Sequence, residues 1–419
     1  MERDFWSKVL HTVSARGAQM VIGLVLTMVT ARWLGAEGRG VVVATLGWVN
    51  LFAVFGGLSL GQILFHSAIS PDKDSQNSEG AEAVEGVKWL STIIRPTLLI
   101  TILSTLCGSV IVLLMWQYTS GSLFSDIKPE FLLAAFWILP FLLWEQYGSS
   151  ILMTLDRIEE YNYRQVLGRF VGLLIVLFLW LIDAKLIYIF GAYFIAQFIV
   201  ASAGIATIKI AWKESSSLSF AQYYMQCKKL IKQCSALHLN TIGSFAILYA
   251  DILIINYYVG ARETGLYELA MQLFIMMGVV PQAVSNVLLG KFRSHSFAET
   301  WRVQRKVLVV TLGIAILLAI IAAFFADSIV FIIGGEDFIE SANVFRLLLL
   351  AVFGMCFATV MGPMWIARGL FVQVSIISIA IGLINVVAGI MLVPEYGICL
   401  LYTSPSPRDQ RGSRMPSSA

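Results

Sequence analysis

Long apolar segments, separated by short polar connections, run along almost the whole chain. About 20 apolar residues in a helix span the bilayer core of about 30 Å, and these segments lack the alternation of a membrane β-strand. Because only helices and closed barrels satisfy every backbone group in lipid, the pattern predicts an all-α membrane protein. Eleven spans are predicted, at 17–34, 41–66, 93–116, 131–153, 166–183, 186–208, 234–258, 266–290, 306–326, 343–367 and 371–393, with a truncated twelfth from about Tyr396.

Composition agrees with this class and excludes others. Of the 419 residues, 58% are hydrophobic and 13% are charged, whereas a soluble domain has about 25% charged residues. The formal charge of +3 is too small for a nucleic-acid partner, and the five cysteines show neither a metal-binding nor a disulfide pattern. No motif for ATP hydrolysis, zinc hydrolysis or nucleophilic catalysis occurs in the sequence, so we predict no catalytic residues, cofactor or enzyme activity.

Residues 399–419 differ sharply from the apolar sequence before them. Synonymous codons for Cys399–Asp409 and Ser413–Ala419 can be written as parts of a sequencing adapter, and the tail resembles a translated adapter. The alternative is a genuine Ser- and Pro-rich cytoplasmic tail. We expect 399–419 to be non-native and the natural protein to continue beyond Ile398.

The positions of Lys and Arg predict the orientation, because these residues are concentrated in cytoplasmic connections. Three of the 29 Lys and Arg residues lie in the tail at 399–419. With the N-terminus inside, 20 fall on the inner side and six on the outer side, namely Arg32, Arg39, Lys128, Lys185, Arg262 and Arg346. The ratio predicts a cytoplasmic N-terminus.

Two glycine pairs indicate an internal repeat. Gly35 and Gly40 follow the first predicted span, and Gly260 and Gly265 follow the seventh at an offset of 225 residues. A short turn between two helices needs glycine where φ is positive, so the same hairpin is predicted twice. The alternative is that glycine turns recur by chance in a Gly-rich membrane protein.

A basic amphipathic segment precedes each copy of the hairpin, at 5–13 and 223–231, and each is typical of a helix on the inner membrane surface. The first and seventh spans run in the same direction, which indicates parallel repeats about an axis along the membrane normal. We therefore predict a two-lobed helical bundle of parallel six-helix repeats, with lobes at 1–213 and 214–398, the second incomplete. Such a layout is typical of transporters.

Three short sequences resemble the MATE-like (MOP) flippase superfamily, in particular its polysaccharide-export branch with the O-antigen (Wzx-type) flippases. They are Ser14–Gly17 followed by Ala31–Gly35 with Glu37 and Gly40; Asp251–Ile255 followed by Gly260, Gly265, Leu266, Tyr267 and Ala270; and Val393–Ile398. The resemblance implies 12 or 14 helices that move a polyprenyl-pyrophosphate-linked oligosaccharide from the cytoplasmic to the periplasmic leaflet of a bacterial inner membrane. The implied partners are that lipid-linked oligosaccharide, membrane lipid and other glycan-assembly proteins, in O-antigen, capsule or exopolysaccharide export.

A charged head group crossing hydrocarbon needs cationic or hydrogen-bonding side chains around it. The candidate head-group residues are Arg16 and Arg368, on the side where substrate is loaded, together with Arg32 and Arg95. For each of them the alternative is a helix-end arginine that only fixes the topology.

Two acids lie deeper, Glu145 in the fourth span and Asp251 in the seventh. An ionisable group at that depth is a functional hypothesis by default, and we predict coupling to H⁺ or Na⁺ there, with an interhelical hydrogen bond as the alternative. Asn240, Asn256 and Gln272 add polar atoms that either line a sugar cavity or tie helices together.

Two rival functions stay open. A MATE-type exporter of cationic drugs needs a cavity lined by acids with few arginines. A membrane-embedded polymerase or acyltransferase needs catalytic residues on large external loops, and the predicted external connections are short.

Overall fold

The computed structural model of the chain describes residues 2–59, 82–119, 122–124, 126–154, 157–203, 238–291, 297–367 and 371–398. Helices dominate this part of the chain, and no β-strand occurs in it. They are α1 (Glu2–Gly57), α2 (Glu82–Tyr118), α3 (Pro129–Phe136), α4 (Leu139–Thr154), α5 (Ile158–Leu181), α6 (Tyr188–Ala201), α7 (His238–Leu248), α8 (Ala250–Tyr258), α9 (Ala261–Met277), α10 (Val279–Lys291), α11 (Phe297–Phe324), α12 (Ala326–Gly334), α13 (Ser341–Leu348), α14 (Val352–Ala367) and α15 (Phe371–Tyr396).

The helices have the length and composition of membrane spans. Seven of those described are long and apolar enough to cross a bilayer, or nine if the bent pairs α7–α8 and α9–α10 are each one span. Each of the eleven predicted spans is mostly helical where it is described, although several contain a short break, such as Trp137 and Ile138 in 131–153 and Tyr249 in 234–258. The predicted fold class, an all-α membrane bundle, is confirmed. The tail at 399–419 and the amphipathic segment at 223–231 lie outside the described residues.

The first two predicted spans are two helices that meet at Gly35 without a loop between them, and both lie within α1. Within α1 only Gly35 departs from helical geometry, with φ 63° and ψ −177°. Gly260, between α8 and α9, has φ 116° and ψ −178°. The prediction of positive φ in both copies of the hairpin is confirmed at Gly35 and Gly260, whereas residues 36–40 are helix and not loop. We call the end of the bundle that carries these two glycines the hairpin end.

Two hydrophobic clusters form the interior. One draws its buried residues from α1 to α6, with Leu139, Leu143 and Tyr147 of α4 completely buried. The other draws on α9 and α11 to α14, and it also includes Ala31 and Ala36 of α1. Because α1 contributes to both clusters, it lies where the two halves of the bundle meet. The predicted lobe boundaries remain predictions.

Candidate functional site

A cavity of about 400 Å³ lies between α1, α4, α5, α6, the junction of α7 with α8, and α9. Most of its wall is apolar. Its polar lining consists of Thr27, Thr30, Arg39, Asn50, Glu145, Gln165, Arg169, Tyr193, Gln197, Tyr249, Glu268 and Gln272. Two arginines and two glutamates therefore face one space, and their formal charges balance.

Arg39 occupies the hairpin end of this cavity. Its guanidinium donates to Glu268 Oε2 of α9 through Nε at 2.8 Å and Nη2 at 2.5 Å, and also to Gln272 Oε1 at 3.1 Å. Another nitrogen, Nη1, donates to Thr30 Oγ1 at 2.5 Å. Arg39 is only 6% exposed, so the ion pair is shielded from water and ties α1 to α9. The prediction that Arg39 lies in an external loop is wrong, because the helix restarts directly after Gly35 and the Arg39 side chain points into the bundle.

The backbones of α1 and α9 touch beside this ion pair. A Cβ at Gly40 would lie 1.6 Å from the carbonyl oxygen of Ala261, and a Cβ at Gly265 would lie 2.1 Å from that of Ala36. We call these four residues the hairpin crossing. Each helix contributes one alanine and, four residues later, one glycine, which is the small-residue spacing that lets membrane helices approach closely. Gly40 and Gly265 are thus required for packing rather than for a turn.

Further contacts fasten the hairpin end. Asp126, in the turn before α3, accepts a hydrogen bond from the backbone nitrogen of Ala261 at 3.2 Å. Arg32 donates to the carbonyl oxygen of Ile332 in α12 at 2.7 Å. At the end of the bundle opposite the hairpin end, just after α1, the hydroxyl oxygens of Ser59 and Thr241 lie 2.7 Å apart. The two halves are in contact at both ends, with a buried ion pair at the hairpin end.

Glu145 lies in the cavity wall formed by α4, α5 and α6. Its Oε1 accepts hydrogen bonds from the hydroxyl of Tyr161 at 2.9 Å and from Gln165 Nε2 at 3.0 Å. Its Oε2 accepts a hydrogen bond from Gln197 Nε2. Gln165 also donates to Tyr161 Oη at 2.7 Å. Three neutral donors from two helices therefore surround this carboxylate, as a charged group removed from bulk water requires.

Arg169 lies one helical turn after Gln165 on α5 and lines the same cavity. Among the described residues it forms no ion pair, and its hydrogen bond there is a donation from Nη1 to the carbonyl oxygen of Gln19 at 3.4 Å. The side chain is exposed. Of the two arginines in the cavity, Arg39 is committed to Glu268 and Arg169 is available to a ligand.

Asp251 lies near the cavity but does not line it. Its Oδ2 accepts a hydrogen bond from the Tyr267 hydroxyl at 2.8 Å, and its Oδ1 accepts one from Asn385 Nδ2 at 2.9 Å. These contacts join α8 to α9 and to α15. The acid is thus half-buried at a junction of three helices.

The other predicted site residues are dispersed. Arg16 is exposed and Arg95 is half-buried; neither they nor Arg32 line the cavity, and Arg368 lies outside the described residues. Asn240 accepts a hydrogen bond from Ser378 Oγ at 2.8 Å, which ties α7 to α15. Asn256 is 1% exposed, and its Nδ2 has no partner among the described residues. Of the three predicted polar residues, only Gln272 lines the cavity.

Five residues of the cavity were not among the predicted site residues: Arg39, Arg169, Gln165, Gln197 and Glu268. One signal was available: Tyr161, Gln165 and Arg169 follow one another at four-residue spacing, which places them on one face of a helix. The remaining signals depend on which helices pack together. Arg39 and Glu268 are 229 positions apart, and no local pattern joins them.

The fold and the cavity define a class: a multi-pass helical membrane protein whose two halves meet around a partly polar chamber. No known family matches the sequence, and no curated protein is significantly similar to it. Solved structures of similar fold include the following two. One is the lipid II flippase MurJ in an inward closed conformation, with a TM-score of 0.71 and 16% identity over 92% of this chain and 82% of that one.

The second is a multidrug resistance MATE family transporter of the MOP superfamily in an inward-facing conformation. Its TM-score is 0.62, and the identity is 11% over 90% of this chain and 94% of that one. One of these proteins is described as a flippase and the other as a transporter. At these identities the likeness shows the fold alone: this chain shares the fold of these two proteins.

Proposed function

We propose that this chain is a flippase for a polyprenyl-diphosphate-linked oligosaccharide. It moves the acidic, hydroxyl-rich head group through the cavity while the prenyl chain stays in lipid. The transporter fold and the polar chamber between the halves support this function. The particular passenger, an O-antigen, capsule or exopolysaccharide precursor in a bacterial inner membrane, rests on the sequence resemblance.

Arg169 carries the argument for an acidic passenger. Glu268 already neutralises Arg39, and Glu145 is held by three neutral donors. The exposed guanidinium of Arg169, which has no carboxylate partner among the described residues, is the cation that the cavity offers. Arginine binds phosphate through paired, charge-assisted hydrogen bonds, so a diphosphate is the passenger chemistry that it suits.

Alternating access requires the contacts at one end of the cavity to break in one state and re-form in the other. We propose that the hairpin end faces the periplasm and that the N-terminus lies in the cytoplasm, as the Lys and Arg distribution indicates. The hairpin crossing and the Arg39–Glu268 pair then close the periplasmic end. Arg32 helps to fasten that end through Ile332. Arg16 and Arg368, on the loading side, remain predicted head-group residues, and the same prediction for Arg32 and Arg95 also stands.

We propose Asp251 as the group that couples transport to an H⁺ or Na⁺ gradient. It bridges α8, α9 and α15 through Tyr267 and Asn385. A change in its charge therefore alters how these helices pack against one another. Coupling through Glu145 also remains a prediction.

The test is lipid flipping by the reconstituted chain in proteoliposomes, with a fluorescent polyprenyl-diphosphate oligosaccharide. Arg169→Ala should lower the initial rate at least about tenfold, because a hydrogen bond to a charged group is worth about 1.5–3 kcal/mol. Arg169→Lys should restore part of the rate, since it keeps the charge but not the paired geometry. The matched control is Arg157→Ala, which removes an exposed arginine paired with Glu160 at the start of α5. Equal rates for Arg169→Ala and the wild type would defeat the proposal.

The second candidate is a MATE-type exporter of cationic compounds. The glutamates at 145 and 268 in the cavity and the similarity to a solved MATE transporter favour it. The same proteoliposomes distinguish the two functions. Uptake of a cationic dye that depends on Glu145, without movement of the anionic lipid, would support the exporter.

A further inference from the structure

Two glutamine side chains of the cavity wall point their amide nitrogens at the same carboxylate. Gln165 of α5 donates to Glu145 Oε1 at 3.0 Å, and Gln197 of α6 donates to Glu145 Oε2. Both glutamines line the cavity. At Glu145 the carboxylate is held by neutral amide donors, whereas the carboxylate of Glu268 is held by the charged guanidinium of Arg39.

The carboxylate fixes which way each amide faces. A carboxylate only accepts hydrogen bonds, whereas an amide has a donating nitrogen and an accepting oxygen. Each glutamine must therefore turn its nitrogen to Glu145 and its carbonyl oxygen elsewhere. Within the described part of the chain, neither carbonyl oxygen has a hydrogen-bond partner. Two hydrogen-bond acceptors are thereby preset in a cavity wall.

Arg169 follows Gln165 by four residues on the same helical face. Four residues advance a helix by roughly 6 Å, a separation that a diphosphate and the sugar bonded to it can bridge. A phosphate bound at Arg169 would thus bring the first sugar to the amide oxygens. Sugar hydroxyls are donors, and they match acceptors that have no partner.

We propose that Gln165 and Gln197 form a hydroxyl-binding subsite for the first sugar of the passenger, with Glu145 as the positioning residue that orients both amides. The proposal rests on the proposed function and names the part of the head group that this wall recognises. It assigns Arg169 to the diphosphate and the two amide oxygens to the sugar.

The experiment compares the affinity of the purified chain for two lipids, a polyprenyl diphosphate and the same lipid carrying one sugar. The variant Gln165→Met/Gln197→Met keeps side-chain volume and removes both acceptors. It should raise the Kd for the glycosylated lipid about tenfold and change the Kd for the sugarless lipid less than twofold. Glu145→Gln should act in the same direction, since an amide at 145 no longer dictates the orientation of its neighbours.

Gln146→Met is the matched control. It makes the same substitution at an exposed glutamine of α4 that does not line the cavity, so both affinities should stay within twofold of the wild type. An equal loss of affinity for both lipids in the double glutamine variant would show a purely structural network and overturn the subsite.

A second measurement needs no variant. In the wild type, lipids whose first sugar lacks single hydroxyl groups should bind more weakly than the complete sugar, and equal affinity for all of them would also overturn the subsite. If the wild type binds neither the sugarless nor the glycosylated lipid, the proposed function itself fails. If it binds both lipids equally well, only the subsite fails.

Discussion

Gly40→Ala is expected to drive the hairpin end open. The new Cβ would lie 1.6 Å from the carbonyl oxygen of Ala261, whereas ordinary van der Waals contact begins at 3.4 Å, so α1 and α9 must part by about 1.8 Å there. The obstacle is backbone, and no side-chain rotation relieves it. Overpacking of this kind costs about 1–3 kcal/mol, which corresponds to a shift of roughly 5- to 150-fold away from the closed arrangement.

Pulsed electron paramagnetic resonance measures this shift. Spin labels at Lys128 and Glu336, both exposed at the hairpin end, report the separation of the two halves once the five cysteines of the chain are replaced by serine. Gly40→Ala should add a population at longer distance. Gly313→Ala is the control, because nothing lies within 4 Å of a Cβ at that position. An unchanged distance distribution in a Gly40→Ala protein with native-like thermal unfolding would refute the packing argument.

Two other substitutions test neighbouring parts of the account. Arg39→Ala should lower the free energy of unfolding by at most about 3–5 kcal/mol, because it leaves the Glu268 carboxylate, whose side chain is 17% exposed, without its cation. Replacing both residues with methionine should recover most of the loss, and equal destabilisation in the single and double variants would speak against a stabilising ion pair. Asp251→Asn should abolish the dependence of transport on an H⁺ or Na⁺ gradient, since it keeps the side-chain shape and removes the charge. Asp327→Asn, at an exposed position paired with Arg346, is its control, and a gradient dependence that survives in Asp251→Asn would remove that acid from the coupling step.

The sequence predicts the class and the repeated hairpin well because both depend on local physics. Apolar runs long enough to cross a bilayer have few soluble alternatives. The positive φ at Gly35 and Gly260 follows from the residue type that the turn requires. The acids at 145 and 251 are placed at depth by their position in an apolar run.

The cavity is harder to predict because it depends on which faces of distant helices meet. Arg39 lies between the predicted spans 17–34 and 41–66, so the sequence places it in a loop. In the structure the helix that restarts after Gly35 carries it into the interior. Arg169 is counted with the cytoplasmic arginines because it stands near a predicted helix end. Its alignment with Gln165 on one face of α5 becomes meaningful only when α4 and α6 bring Glu145 and Gln197 to that face.

The most direct measurement maps where the passenger's head group lies. A polyprenyl-diphosphate sugar with a photoreactive group on the sugar is crosslinked to the reconstituted chain, and the labelled peptides are identified by mass spectrometry. The account predicts crosslinks to the cavity faces of α1, α5 and α6, lost in Arg169→Ala and retained in Arg157→Ala. Crosslinks confined to the exposed apolar faces of α11 and α15 would contradict it.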